Sequence, residues 1–386
     1  MRARSGRRRA GPAALLAGAV LIAGAVLLAG CASAGSQGSA APPAAAAPLA
    51  TTMTVAGGGT WAIVAMGGSA ADENRFWELF TRPAGSTKWV LDTPPGVADN
   101  GGLVASGSGG ALTVAVRPSQ GLTFSPLATT SDNGKTWGTG LLDAAVAAVP
   151  DALATRGGNM LALLDDGAID QAGAAGAGLT RLAAPGAVAA SAAGRQCQAT
   201  ALTAVAYTAS GTPLAAASCA RPGTVGIFAR TGGTWQAAGP AAPGGAPVRV
   251  LRLAGTPTGD TALLASGTGS AASLLGAWTS DGTHWTTSVP LSTGTRQVLA
   301  DGTGPGGSAW VLLTGGRAET IAGPGAAWQQ LPAPPPGTAA LAAGPGGTTD
   351  ALSVAGASLT VYQLTPAGTW NRTQAVTVPI QYGSSS

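Results

Sequence analysis

From about residue 49 onward the chain alternates short apolar runs with glycine- and proline-rich breaks. Residues 251–266 (LRLAGTPTGDTALLAS), 299–313 (LADGTGPGGSAWVLL) and 341–354 (LAAGPGGTTDALSV) can be laid over one another. Each holds a small-residue run, a glycine turn and a second, more apolar run. Runs of four to eight residues between turn residues predict β-strands. A third strand and another turn follow in each copy, and then a segment that opens on tryptophan. After the first thirty residues no window holds a 3.6-residue period long enough to predict a helix. Alanine-rich segments such as Leu141 to Val149 allow a helical turn or two.

The tryptophans give the period. Trp89, Trp137, Trp235, Trp285, Trp328 and Trp370 each follow a small-residue turn, at intervals of 48, 98, 50, 43 and 42 residues. The second interval is close to twice the others, and a degenerate unit fills it, with Leu179 of AGAGLTRL standing where tryptophan would be. Seven units of about 47 residues, four short strands in each, predict one all-β domain, a seven-bladed β-propeller over residues 49–386, with six or eight blades as the alternative. Crowding near a central channel accounts for the glycine and alanine of the first strands. A bulky residue on the last strand fills the wider space between blades.

Two of the turns carry acids. Ser131-Asp132-Asn133-Gly134-Lys135-Thr136-Trp137 resembles the Asp-box of sialidase-like (BNR-repeat) propellers, with the first spacer missing, and Ser280-Asp281-Gly282-Thr283-His284-Trp285 is one residue shorter again. The resemblance implies a structural turn between the outer two strands of a blade, away from any active site. The aspartate accepts backbone N–H groups there, glycine takes the left-handed position, and tryptophan packs between blades. Sialidase chemistry implies more: three arginines for a carboxylate, a Tyr–Glu nucleophile pair and an acidic proton donor. Three glutamates (Glu73, Glu78, Glu319) and three tyrosines (Tyr207, Tyr362, Tyr382) are present, and Arg117, Arg252 and Arg296 could line a channel mouth, with nothing in the sequence ordering them into a triad. The pair Asp165-Asp166 reads as a hairpin turn rather than as a catalytic or calcium site.

The N-terminus changes the location and the charge. Arg2, Arg4, Arg7, Arg8 and Arg9 precede an apolar run of about 16 residues, Ala13 to Leu28, short of the roughly 20 needed to cross a bilayer. It ends in Leu28-Ala29-Gly30-Cys31, which resembles the lipobox of bacterial lipoproteins. The resemblance implies a signal peptide over residues 1–30, lipidation of Cys31, and an exported protein anchored on the outer side of the cell membrane. Residues 31–48, almost all Ala, Pro, Ser and Gly, read as a tether. Of the 20 Lys and Arg, five lie in the signal, leaving 15 against 16 acids, so the mature charge is about −1. No nucleic-acid partner is expected from that balance.

Cys197 and Cys219 remain, and an exported setting favours their pairing. They flank two alternating runs whose ends can come within disulfide reach. A metal site would need more ligands than one histidine, His284, and no Cys-x-x-Cys can offer. The clusters SGSGG and GPGG open no helix and are not phosphate loops, so no cofactor is expected. Two readings remain: a monomeric surface module that binds a protein or cell-wall glycan without catalysis, and a divergent sialidase-like glycoside hydrolase or lyase.

Overall fold

The short apolar runs of this chain form strands, several of them buried along nearly their whole length, and each group of four closes into an antiparallel meander. The computed structural model describes residues 52–378, apart from 57, 67–75, 95–102, 109–110, 117–123, 148, 174–177, 243–244, 257 and 344–347. All of these lie in one unit, Ala44–Ser386. Cys31 and the predicted signal and tether lie outside the described residues, as do Arg117, Glu73 and Tyr382.

The first sheet holds β1 (Thr52–Ala56), β2 (Gly59–Met66), β3 (Phe76–Arg82) and β4 (Val90–Leu91). The second holds β5 (Leu103–Ser108), β6 (Ala111–Val116), β7 (Ser125–Thr130) and β8 (Gly138–Leu142). β9 (Leu153–Arg156), β10 (Asn159–Leu163), β11 (Ile169–Gly173) and β12 (Thr180–Ala183) form the third. Two short helices, α1 (Ala187–Ala190) and α2 (Ala192–Cys197), lead to the fourth: β13 (Ala199–Tyr207), β14 (Pro213–Cys219), β15 (Gly226–Thr231) and β16 (Thr234–Ala237). The fifth holds β17 (Val248–Thr256), β18 (Gly259–Ser266), β19 (Ser273–Thr279) and β20 (Trp285–Thr287), with β21 (Leu291–Ser292) also paired to β19. β22 (Val298–Thr303), β23 (Ala309–Leu313), β24 (Arg317–Ile321) and β25 (Gln329–Leu331) make the sixth. β26 (Thr338–Ala343), β27 (Thr349–Ala355), β28 (Ser358–Leu364) and β29 (Trp370–Thr377) make the seventh. The chain is a seven-bladed β-propeller. Among the described residues no helix is long and apolar enough to cross a membrane.

The six tryptophans and Leu179 all stand within one residue of the start of their blade's fourth strand, or at its second residue. From there each blade reaches its predecessor. The Trp285 indole donates to the Ala238 carbonyl (2.5 Å), Trp328 to Ser288 Oγ (3.2 Å) and Trp370 to the Pro332 carbonyl (3.2 Å). Trp137 bonds the Asp92 carboxylate. Every acceptor lies three or four residues after the tryptophan of its own blade. Between the third and fourth blades Arg230 takes the donor role, bonding the Leu182 carbonyl (2.7 Å) with its guanidinium 5.7 Å over the Trp235 ring. Leu179 has no side-chain N–H to give, and at that junction the backbone substitutes: the Ala147 N–H donates to the Leu163 carbonyl (3.0 Å) and the Asp165 N–H to the Ala145 carbonyl (3.0 Å).

Many propellers could close by trading strands, but here each described blade is contiguous in sequence. The seam between first and seventh blades is closed by side chains. Arg82 pairs with Asp350, and Gln374 bonds both the N–H and the C=O of Trp89. One apolar cluster runs through the seam, from Val64, Phe80 and Trp89 to Leu341, Leu352 and Val361.

The helices fall elsewhere than Leu141 to Val149. Leu141 and Leu142 end β8, and Val146 bridges Leu164. The helical turns form instead at residues 187–197, where Ser191 caps the Gly194 N–H (2.9 Å). That places Cys197 on a helix end rather than a strand end. Its disulfide to Cys219 spans a Cα–Cα distance of 5.1 Å and closes 22 residues, worth about 3 kcal/mol by chain entropy.

Candidate functional site

The innermost strands of the fourth to seventh blades share an irregularity. Register shifts leave an unpaired residue in β13 (Thr203, in addition to Thr200), β17 (Leu251), β22 (Leu299) and β26 (Ala339). A bulge re-aims the side chains beside it. The residue after it is Ala204, Ala300 or Ala340 in three blades, and Arg252 in the fifth.

Arg252 is 5% exposed at its side chain and spans three blades. Its Nε donates to Asp301 Oδ1 (2.6 Å) and one Nη to the Asp301 carbonyl (2.8 Å). Its other Nη reaches Asp151 Oδ1 at 3.3 Å, and Asp151 Oδ2 also accepts the Leu253 N–H (2.9 Å). Burial alone would lower the Arg252 pKa, but Asp301 and Asp151 carry it above its ordinary value. Burial raises the Asp151 pKa, and Arg252 pulls the other way without cancelling it. The group is an internal bracket between the third, fifth and sixth blades. Arg252 therefore does not present a free guanidinium at a channel mouth, and it does not converge with Arg296, which lines a separate cleft.

A second acid is buried without a counter-ion bond. Asp260, on β18, is 3% exposed and its Oδ1 has no hydrogen-bond partner. Burial pushes its pKa up to about 7, and the charge of Arg156 pulls it only partly back. The corresponding Asp350 of the seventh blade, also second in its strand, has Arg82 instead. Arg156 bonds the Ala209 carbonyl.

The acid-bearing turns are built alike. Asp132 accepts the Thr136 N–H (2.9 Å) and hydroxyl (2.6 Å) and the Thr130 hydroxyl (2.8 Å). Those bonds, the Thr136 hydroxyl first, hold its pKa down at about 2. Asp281 accepts the His284 N–H (2.7 Å), its ring Nδ1 (2.6 Å) and the Thr283 N–H (2.8 Å), and lies far below the ordinary carboxylate range. The His284 ring is 89% exposed. Thr130 and Thr279, the last residues of their strands, each accept the N–H of the turn glycine, Gly134 or Gly282. Ser131 and Ser280 are exposed beside them. Trp137 packs edge-on against Trp61 of the first blade, with centroids 6.2 Å apart. Asp165 and Asp166 sit in the β10–β11 turn, where Asp166 accepts the Ala168 N–H (2.8 Å). Among the described residues no group of three His, Cys, Asp or Glu could hold a metal.

Of the residues offered for sialidase chemistry, Glu319 is paired to Arg317 (2.6 Å) and Tyr207 is buried with its pKa raised to about 12. Sequence reasoning missed the roles of Asp151, Asp260 and Asp301. The signal available was the alignment of the repeats, in which Arg252 breaks a column of alanines.

No known family profile matches the chain, and no curated protein is similar to it in sequence. Solved structures are similar in fold. The GH74 xyloglucanase from Xanthomonas campestris superposes with a TM-score of 0.54 at 16% identity, over 81% of this chain and 51% of that one. This chain thus spans about half of the xyloglucanase. The periplasmic gluconolactonase of Pseudomonas aeruginosa gives 0.53 at 13% identity, over 82% and 96%. YCF48 from Cyanidioschyzon merolae gives 0.50 at 12% identity, over 82% and 96%. At these identities the likeness is one of fold.

Proposed function

We propose that this protein is an exported lipoprotein, anchored through Cys31 on the outer side of the cell membrane, whose monomeric propeller binds a protein or cell-wall glycan without catalysis. The carrying observation is the Arg252 bracket. Asp151 and Asp301 are both committed to one guanidinium, whereas glycoside hydrolysis uses two carboxylates on opposite sides of the scissile bond. Spent charges of this kind stiffen a scaffold; they do not move protons. The lipobox resemblance of Leu28 to Cys31 supports the anchor.

One observation favours the second reading, a divergent hydrolase or lyase. A carboxyl with a pKa near 7, as at Asp260, is suited to proton donation at neutral pH. The two are separated by titrating the exported protein against cell-wall glycans, cell-surface proteins and a panel of synthetic glycosides. Saturable binding with no product supports the binding module. Turnover that Asp260→Asn abolishes overturns it in favour of the enzyme. Fatty-acid labelling that persists in Cys31→Ala would remove the anchor from the proposal.

A further inference from the structure

A cleft of about 620 Å³ opens at the junction of the fifth and sixth blades. None of its lining residues belongs to an innermost strand, so it is separate from the channel. Its volume falls in the range of small-ligand sites, roughly 300–1,000 Å³. It is lined by Val289, Pro290 and Leu291, by Trp328, and by Arg296 and Arg317.

Several of these groups are held in place before any ligand arrives. Trp328 is fixed by its indole bond to Ser288 (3.2 Å). Arg317 is fixed through Nε by Glu319, which is itself 2% exposed. That bond occupies one edge of the guanidinium and cancels its charge. Arg296 is exposed and, among the described residues, forms no ion pair. The cleft therefore carries one net positive charge beside an apolar wall, and Val289 leaves 77% of its surface in water.

We infer that this cleft binds a small monocarboxylate with an apolar or aromatic body. The carboxylate would meet Arg296, with the remaining Arg317 donors beside it, and the body would lie between Val289–Leu291 and the Trp328 ring. Charge-assisted hydrogen bonds to guanidinium are the stronger class, and covering Val289, the exposed apolar residue of the cleft, removes apolar surface from water. A polyhydroxylated acid fits less well. Among the side chains lining the cleft, Ser292 is the one hydroxyl, and buried sugar hydroxyls left without partners lose affinity. This inference is independent of the proposed function, because it concerns neither the channel nor the anchor.

The test is saturation-transfer NMR on the full exported protein with three probes: phenylacetate, its neutral isostere phenylacetamide, and glucuronate. Phenylacetate should bind saturably with Kd on the order of 1 mM, and the other two about tenfold more weakly. Arg296→Gln, a surface change, should weaken phenylacetate about tenfold and leave phenylacetamide unmoved. No saturable phenylacetate signal, equal binding of acid and amide, glucuronate binding as tightly as phenylacetate, or an Arg296→Gln variant that binds like wild type would each overturn the assignment.

Discussion

Gln374, in the middle of the last strand, clasps the backbone of Trp89 in the first blade. Its Oε1 accepts the Trp89 N–H at 2.8 Å and its Nε2 donates to the Trp89 carbonyl at 2.5 Å. The clasp imitates a strand pair with one side chain, at the junction where the two ends of the propeller meet. Leucine at this position would fill the space and leave both backbone groups unpaired. Gln374→Leu should cost about 1–3 kcal/mol, read as a lower midpoint in urea with an unchanged slope. A midpoint equal to that of wild type would show that the seam does not depend on the clasp.

Arg252→Met should be more damaging than its size suggests. It leaves Asp301 and Asp151 without their shared cation, and breaking a buried pair from one side typically costs about 3–5 kcal/mol. Adding Asp301→Asn removes one of the two stranded charges and leaves Asp151, so the double variant should recover part of the loss. Equal stability of single and double variants in denaturant would contradict the bracket.

The two glycine turns should respond unequally to alanine. Gly134 and Gly282 have φ of +84° and +74°, and each alanine should lose about 1–2 kcal/mol to the left-handed conformation. A Cβ on Gly134 would also lie 2.0 Å from Asp92 Oδ2 and 2.9 Å from the Trp61 ring, whereas the nearest atom to one on Gly282 is 3.8 Å away. Gly134→Ala should therefore melt below Gly282→Ala. Asp132→Ala and Asp281→Ala should both melt lower than wild type, with ligand binding unchanged well below the midpoint. A mutant that keeps its melting temperature and loses binding would overturn the structural role of these acids.

Asp260 should make the protein less stable as pH rises from 4 to 7. Its folded pKa, about 7, lies above the ordinary value of 3.8. The native state thus holds a proton that the unfolded state has released. Its contribution is complete below about pH 4 and is lost as pH rises through 7, with a slope approaching 1.4 kcal/mol per unit, in the order-of-magnitude sense of proton linkage. Asp260→Asn should flatten that segment of the curve. Denaturation at pH 5 and pH 8 decides it, and an unchanged slope in the variant would rule the assignment out.

Much of the architecture is legible in the sequence alone. Strand length, turn residues and the tryptophan period are local properties, and the doubled interval around Leu179 pointed to seven units because a repeat must occupy the space its neighbours leave. The hydrogen bonds of Asp132 are local in the same way: its partners, Thr130 and Thr136, lie within four residues. Cys197 and Cys219 were paired from their number and surroundings, but the helix that carries Cys197 depends on the Ser191 cap, a weak local signal in an alanine-rich segment. The contacts that only the tertiary structure decided are those between residues far apart in sequence. Arg252 meets Asp151 across 101 residues, and Trp89 meets Gln374 across 285. No local pattern encodes such a meeting, because it depends on how seven twisted sheets close into a ring and on the bulge that re-aims the chain at Arg252. The cleft has the same origin: Arg296 and Trp328 are ordinary surface residues along the chain, and become one site only where two blades abut.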